Sequence, residues 1–351
     1  MNTNTQNQRK IDAAVVGASG YSGEELLRLL IPHPQIEIKC ITSRQYEGQH
    51  ISAVFPRFAE SELTFSAPDV NEISKLAEVA FLALPHGLAS EFAAPLLEAG
   101  VRVIDISADF RLKDPLVYEY YYKQPHPAPE LLDEAVYGLP ERYRDAIRSA
   151  RLVACPGCYP TSILLPLIPV LEAELITPTG IMASSLSGVT GAGRKVQLPY
   201  IFPECNESVR PYAPTGHRHL PEIEQELTLA AGARTATVNF VPHLVPINRG
   251  IHSTIVADLL PGIKADDVQA VYAATYGSEP FVRLLRENVL ADTKHVTFSN
   301  VAELGFAVDE HTGRVIVSSA IDNLTKGAAG QAVQCLNLMC GIPEDTGLQL
   351  L

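Results

Sequence analysis

The stretch Ile11-Asp12-Ala13-Ala14-Val15-Val16, followed by Gly17-Ala18-Ser19-Gly20-Tyr21-Ser22-Gly23 and then by Glu24-Glu25-Leu26-Leu27-Arg28-Leu29-Leu30, decides the fold. A short run rich in β-branched residues predicts a strand, and the glycines predict a tight loop. Leucines at helical spacing, stopped before Pro32 and Pro34, predict a helix. Strand, glycine loop and helix in that order let a dinucleotide bring its pyrophosphate close to the backbone and onto the helix N-terminus. A second strand, Ile36 to Thr42, follows, which makes a plain strand-to-helix turn the weaker alternative. Gly17, Ser19, Gly20, Tyr21 and Ser22 are therefore candidate cofactor contacts. NAD-binding folds usually end the second strand in Asp or Glu, which holds the ribose 2′-hydroxyl. This chain has Ser43-Arg44 there, and an arginine suits a 2′-phosphate, so NADP is expected rather than NAD.

Working outward, Val79 to Leu84 is nearly all apolar, as a parallel strand buried on both faces must be. It runs into Pro85-His86-Gly87, at the strand end where open α/β sheets bind ligands, and Pro85 joins the cofactor candidates. A helix is expected over Glu91 to Ala99 and a strand over Val101 to Ile106. That strand leads into Asp105-Ile106-Ser107-Ala108-Asp109-Phe110-Arg111, which places Arg111 as a candidate clamp for a substrate anion. An ion pair with Asp109 or Asp114 is the bland alternative. Residues 113–145 are rich in Tyr, Pro and charge and read as a surface excursion, and Arg151 to Ala154 reads as a short strand.

At Ala154-Cys155-Pro156-Gly157-Cys158-Tyr159-Pro160-Thr161-Ser162 a cysteine follows a Pro-Gly turn and precedes the apolar run Ile163 to Leu171. Pro160 suits the first helical position, which sets Cys158 at a helix N-terminus. Unpaired backbone N–H groups there favour a thiolate, the nucleophilic form. Inert packing is the ordinary fate of a cysteine. Cys155-Pro156-Gly157-Cys158 is also a CxxC, but Cys40, Cys205, Cys335 and Cys340 supply no second pair at metal-site spacing, so no metal is expected.

Past this elbow, Gly180 to Ser187 reads as a strand, and Gly188-Val189-Thr190-Gly191-Ala192-Gly193-Arg194 as a second glycine-rich loop able to form an anion nest. Ser187, Gly188 and Arg194 are candidate substrate contacts. Gly216-His217-Arg218-His219-Leu220-Pro221-Glu222 sets two histidines two apart before a helix that runs to about Ala231. Either His217 or His219 could serve Cys158 as acid or base, with Glu222 orienting one of them. Strands are expected over Thr235 to Val241, Gly250 to Leu259, Val296 to Leu304 and Arg314 to Ile321, with a helix over Ala265 to Gly277. A last helix, from about Asp322 to Met339, could dock back on the first domain and bring Asn323 to the cofactor.

The chain of 351 residues has room for two domains, and its net charge of -13 argues against nucleic-acid or anionic-membrane partners. No apolar run is long enough for a transmembrane helix, and the polar start, Met1 to Gln8, has no signal-peptide core. Six cysteines then read as reduced cytoplasmic thiols. The expected fold is α/β: a frayed tail over 1–10, a Rossmann-type parallel-sheet domain over 11–155, an α+β catalytic and oligomerisation domain over 156–322, and a returning C-terminal helix over 323–351.

Eight segments in order then carry a resemblance. They are Gly17 to Gly23, Leu84-Pro85-His86-Gly87, Asp105 to Arg111, Tyr137-Gly138-Leu139-Pro140-Glu141, Pro156 to Thr161, Ser187 to Arg194, Gly216 to Ile223, and Asn323 to Gln334. Together they resemble the N-acetyl-gamma-glutamyl-phosphate reductase family of arginine biosynthesis, which is similar in chemistry to aspartate-semialdehyde dehydrogenase. The resemblance implies Cys158 as nucleophile, the His217/His219 loop for acid–base work, and NADP contacts from the Gly17–Gly23 loop, Ser43, Arg44 and Asn323. It implies a small-molecule acyl phosphate as substrate and a homodimer or homotetramer. Position 155 is a looser part of the motif, and the resemblance leaves open whether Cys155 pairs with Cys158 under oxidation. Rival readings are a reductase of a carrier-protein-linked amino-adipyl phosphate, aspartate-semialdehyde dehydrogenase, which the His-x-His loop argues against, and a non-catalytic NADP-binding sensor.

Overall fold

The computed structural model describes residues 9–232 and 234–348, so the first eight residues of the expected tail and the last three of the chain lie outside the described residues. Strand Ile11–Val16 is an inner strand of a parallel seven-stranded sheet. In spatial order its strands are Phe65–Ser66, Ile36–Thr42, Ile11–Val16, Val79–Leu82, Arg102–Asp105, Leu152–Ala154 and Val136–Tyr137. Ala13 through Val16 and Val79 through Leu82 are fully buried because helices cover both faces, which is why these segments are apolar without alternation. From Ile11–Val16 the chain first builds outward through Ile36–Thr42 and then returns to the other side with Val79–Leu82. The reversal opens a crevice at the carboxyl ends of these two strands, where ligands bind in such sheets.

The second sheet is mixed and again seven-stranded, in the order Val282–Leu284, Ala302–Asp309, Arg314–Ile321, Ile251–Asp258, Ile181–Ser187, Val238–Leu244 and Arg210–Pro211. Its inner face packs on helices Cys158–Glu172, Leu220–Ala230 and Ala265–Tyr276 in one apolar core. Its outer face leaves Met182 and Leu186 exposed. Helix Cys158–Glu172 contains Pro166 and Pro169, which have no N–H to give. Pro169 thereby orphans the carbonyl of Leu165, and the hydroxyl of Tyr276 donates to it, while Tyr272 donates to the carbonyl of Pro166 at 2.8 Å.

Helix Gly330–Met339 returns to the first domain, where Ala332, Val333, Leu336 and Met339 share a core with Leu26, Leu27, Leu30 and Phe81. One π-turn, Thr325–Ala329, precedes it. Lys326 in that turn is fully buried and pairs with Glu141 at 2.6 Å. Arg249 ties the second domain to the cofactor-side helix Tyr21–Leu30 by bonding Glu25 and Asp322, and Arg249 with Arg28 holds the Glu25 carboxyl down at about 2 against burial.

Three segments depart from the sequence reading. The strand expected over Val296 to Leu304 starts at Ala302, because Phe298 adopts φ +64° and its N–H is taken by Asp322. The strand expected from Thr235 begins at Val238. Residues 113–145 are no loose excursion: helix Pro115–Tyr122 is capped by Asp114, and Tyr118 is fully buried against Asp109.

Candidate active site

The strand Leu152–Ala154 ends in the turn Cys155-Pro156-Gly157, and Gly157 caps a helix whose first residue is Cys158. Pro160 thus lies in the first turn rather than at its start. Cys158 is half-buried at the junction of both domains. A Cβ on Gly327 of the returning segment would meet the Cys158 Cβ at 2.8 Å, so only glycine lets that segment pass. Backbone N–H groups at Cys158 and Tyr159 and the guanidinium of Arg111 all favour the thiolate, but burial outweighs them and pushes the thiol up to about 11. Burial thus opposes the thiolate that the helix end favours. A helix N-terminus offers only about 0.3–1 kcal/mol, too little against desolvation of a sulfur anion. Attack by this sulfur requires a proton acceptor.

Two imidazoles stand beside its turn. His219 lies against the nucleophile's turn so closely that a Cβ on Gly157 would sit 2.6 Å from its Nε2. The backbone N–H of His219 donates to Nδ1 of His217 at 3.1 Å, and the rings lie 4.9 Å apart. His217 is boxed by Tyr159, Tyr212 and Phe240. Burial pushes His217 down to about 4 and His219 well below the usual imidazole range, with positive neighbours adding to both, so both are neutral near pH 7. Nδ1 of His219 is buried without a hydrogen-bond partner.

Glu222 does not orient either histidine. Its Oε1 accepts from the N–H of Gly157 at 2.8 Å and from the hydroxyl of Tyr137 at 2.7 Å, so it pins the nucleophile's turn instead. Arg111 pairs with neither Asp109 nor Asp114. Its Nε donates to the carbonyl of Cys155 at 2.7 Å, another nitrogen donates to Ile106, and Nη1 lies 3.6 Å from Glu222. Arg111 still borders the cavity, so its charge faces an incoming anion while its bonds hold the Cys155–Gly157 turn.

That cavity has a volume of about 500 Å³ and opens beside Tyr159. Ser187 and Gly188 line it, as predicted, with Arg111, His217 and His219. His86, Tyr122, Tyr212 and Arg218 were not foreseen as site residues. Arg218 donates to the His86 imidazole at 3.0 Å and lies over the Tyr122 ring, and its position between the two histidines was the signal. Among the described lining residues there is no Asp or Glu, so the walls suit an anionic ligand. Arg194 is not in this wall; its Nη1 donates to the carbonyl of Ser19 in the first glycine loop at 3.1 Å. Asn323 is buried and braces the second glycine loop, giving Nδ2 to Thr190 and taking the N–H of Gly250.

The first glycine loop fits a dinucleotide. Gly17 has φ +83°, and a Cβ on it would meet the Ala83 carbonyl at 2.5 Å. Helix Tyr21–Leu30 begins at Gly20 with no side chain capping its N–H groups, which leaves them for a phosphate. Ser19 and Ser43 meet hydroxyl to hydroxyl at 3.0 Å beside the exposed Arg44, which pairs with Glu91 at 3.6 Å. Pro85 lies across the crevice on the neighbouring strand end and is exposed. Among the described residues no group of three His, Cys, Asp or Glu is placed to hold a metal ion.

Family models described as semialdehyde dehydrogenase, NAD binding domain, and semialdehyde dehydrogenase, dimerisation domain, match residues 12–150 and 158–323. The chain is 54% identical over 347 residues to an N-acetyl-gamma-glutamyl-phosphate reductase of Akkermansia muciniphila, spanning 98% of this chain and 100% of that one. The chain belongs to the N-acetyl-gamma-glutamyl-phosphate reductase family. Family members from Geobacter metallireducens and Desulfotalea psychrophila are 51% and 50% identical, each over 97% of this chain and 98% and 99% of theirs. Among solved structures, aspartate semialdehyde dehydrogenase II of Vibrio cholerae complexed with ASA superposes with a TM-score of 0.72 at 20% identity, over 95% of this chain and 99% of that one. The aspartate semialdehyde dehydrogenase of Candida albicans with NADP gives 0.70 at 15%, over 94% and 98%. At such identities they establish the two-domain fold, and within the reductase family the second half carries the dimerisation domain.

Proposed function

We propose that the chain catalyses the NADPH-dependent reduction of N-acetyl-gamma-glutamyl phosphate to N-acetyl-glutamate semialdehyde and phosphate, a step of arginine biosynthesis. The observation that carries this reading is the convergence on one acid-free cavity of Arg111 and of the His219 imidazole that lies on the turn carrying Cys158. Cys158 sulfur attacks the acyl carbon, a C–S bond forms, the C–O bond to phosphorus breaks and phosphate leaves. The thiol proton passes to neutral His219, and N–H groups at the helix start face the developing charge. Arg111 and the Ser187–Gly188 backbone border the space where the leaving phosphate sits. Bound NADPH supplies the hydride that converts the resulting thioester to the aldehyde. His219 then returns its proton to the departing sulfur. Glu222 and Tyr137 keep the Gly157 turn in place throughout, which makes them positioning residues.

Residues 11–155 serve in this proposal as the cofactor domain and 156–322 as the catalytic and oligomerisation domain. Gly17, Ser19, Gly20, Tyr21, Ser22, Ser43, Arg44 and Pro85 surround the dinucleotide. Exposed Met182 and Leu186 on the outer face of the second sheet supply the contact of a homodimer or homotetramer. All six cysteines are free thiols, which fits a reducing cytoplasm. The test is the phosphate-dependent reverse reaction: NADP reduction with N-acetyl-glutamate semialdehyde, with aspartate semialdehyde and NAD as controls. Activity with the acetylated substrate, NADP and phosphate together is the expected result. Equal activity with aspartate semialdehyde, or activity without phosphate, contradicts the proposal.

A further inference from the structure

The second glycine loop does two things at once. Gly188, Gly191 and Ala192 line the substrate cavity. A few residues on, Arg194 crosses to the other domain, where it donates to the bare backbone carbonyl of Ser19 and lies 4.9 Å over the ring of Phe55. Ser19 is in the loop that fits the dinucleotide, and its hydroxyl meets that of Ser43 at the end of the second strand. The neighbouring guanidiniums are balanced: Arg44 faces Glu91 and Arg57 faces Glu24, each at 3.6 Å. Arg194 is exposed and among the described residues has no carboxylate in ion-pair reach, so its charge is held beside uncapped helix N–H groups without a counter-ion. Gly193, the residue before it, has φ +81° and open space where a Cβ would be.

We propose that Arg194 is a ligand for a phosphate of the bound dinucleotide, supplied by the second domain to the first domain's glycine loop, so that cofactor binding fixes the loop that walls the substrate cavity. This rests on the NADP reading above. A guanidinium bound to phosphate forms charge-assisted bonds that a carbonyl oxygen cannot match, so the Ser19 contact is exchanged or shared when the cofactor enters.

The test is direct binding of NADP+ and NAD+ by calorimetry to the wild type, Arg194→Met and Arg194→Lys. Limited trypsin digestion at Arg194 and Lys195 is followed in parallel with and without NADP+. Arg194→Met should lose affinity for NADP+ on the order of tenfold, Arg194→Lys less, and saturating NADP+ should protect the Lys195 site in the wild type but not in Arg194→Met. An equal loss for NAD+ assigns the contact to the pyrophosphate, and a loss confined to NADP+ assigns it to the 2′-phosphate. Unchanged NADP+ affinity in Arg194→Met overturns the inference while leaving the NADP reading intact. A wild type that binds neither dinucleotide overturns both.

Discussion

Cys155 and Cys158 lie three residues apart in one turn and end in opposite environments. Cys155 has no exposure and joins the core under the first sheet, its thiol against that of Cys335 on the returning helix. Cys158 starts a helix and packs at the edge of the other core. The turn between them, Pro156-Gly157, changes the direction of the chain, so CxxC spacing here does not bring the thiols onto one partner. A disulfide between them has no support in this structure, where both are free. Identical side chains differ in role because of what is packed beside them: one sulfur lies in the core against another thiol, while the other follows a turn that carries a neutral imidazole.

The largest effect expected separates the two cysteines. Cys158→Ser should lower the rate by at least about a thousandfold while still binding cofactor. Cys155→Ala should keep turnover within about threefold and lower the unfolding free energy by about 1–2 kcal/mol. Steady-state rates and denaturant midpoints measure both, and comparable activity in the two variants would erase the distinction.

Next comes the turn itself. Gly157→Ala would place a methyl 2.6 Å from Nε2 of His219, so the imidazole or the turn must move. A loss of about a hundredfold in kcat is expected, close to that of His219→Asn and larger than that of His217→Asn. A greater loss in His217→Asn would transfer the proton-accepting role to His217.

The smallest effect is on labelling. Burial raises the Cys158 thiol to about 11, so the neutral thiol prevails at pH 7 and the thiolate fraction grows tenfold per pH unit below that value. Iodoacetamide labelling of Cys158, followed by mass spectrometry, should speed up steadily from pH 7 to 10 and run ahead of Cys155 throughout. A rate already at its plateau by pH 7 would mean a depressed thiol and no need for a separate base to start the attack.

Much of this was legible in the sequence where local chemistry decides. Gly17 needs a left-handed backbone, Ile251–Asp258 alternates toward one core, and the Pro-Gly turn before an apolar run places Cys158 at a helix start. The missed helix Pro115–Tyr122 had a local signal, the cap-and-proline pair Asp114-Pro115. What could not be read was long-range. Glu222 precedes its helix's apolar face just as an orienting carboxylate would, yet its partners, Gly157 and Tyr137, are 65 and 85 residues away. Arg194 ends a loop of the substrate wall but reaches a carbonyl 175 residues distant. The thiol's raised pKa likewise comes from tertiary burial, which no helix-end argument contains.

The central claim is that the sulfur of Cys158, and not that of Cys155, carries the acyl group. Wild-type protein mixed with N-acetyl-gamma-glutamyl phosphate without NADPH, quenched in acid and digested, tests it directly by mass spectrometry beside a phosphate assay. The account predicts a burst of phosphate near one equivalent per chain and an N-acetylglutamyl adduct on Cys158, both absent in Cys158→Ser. An adduct on Cys155, or phosphate release that survives in Cys158→Ser, would contradict it.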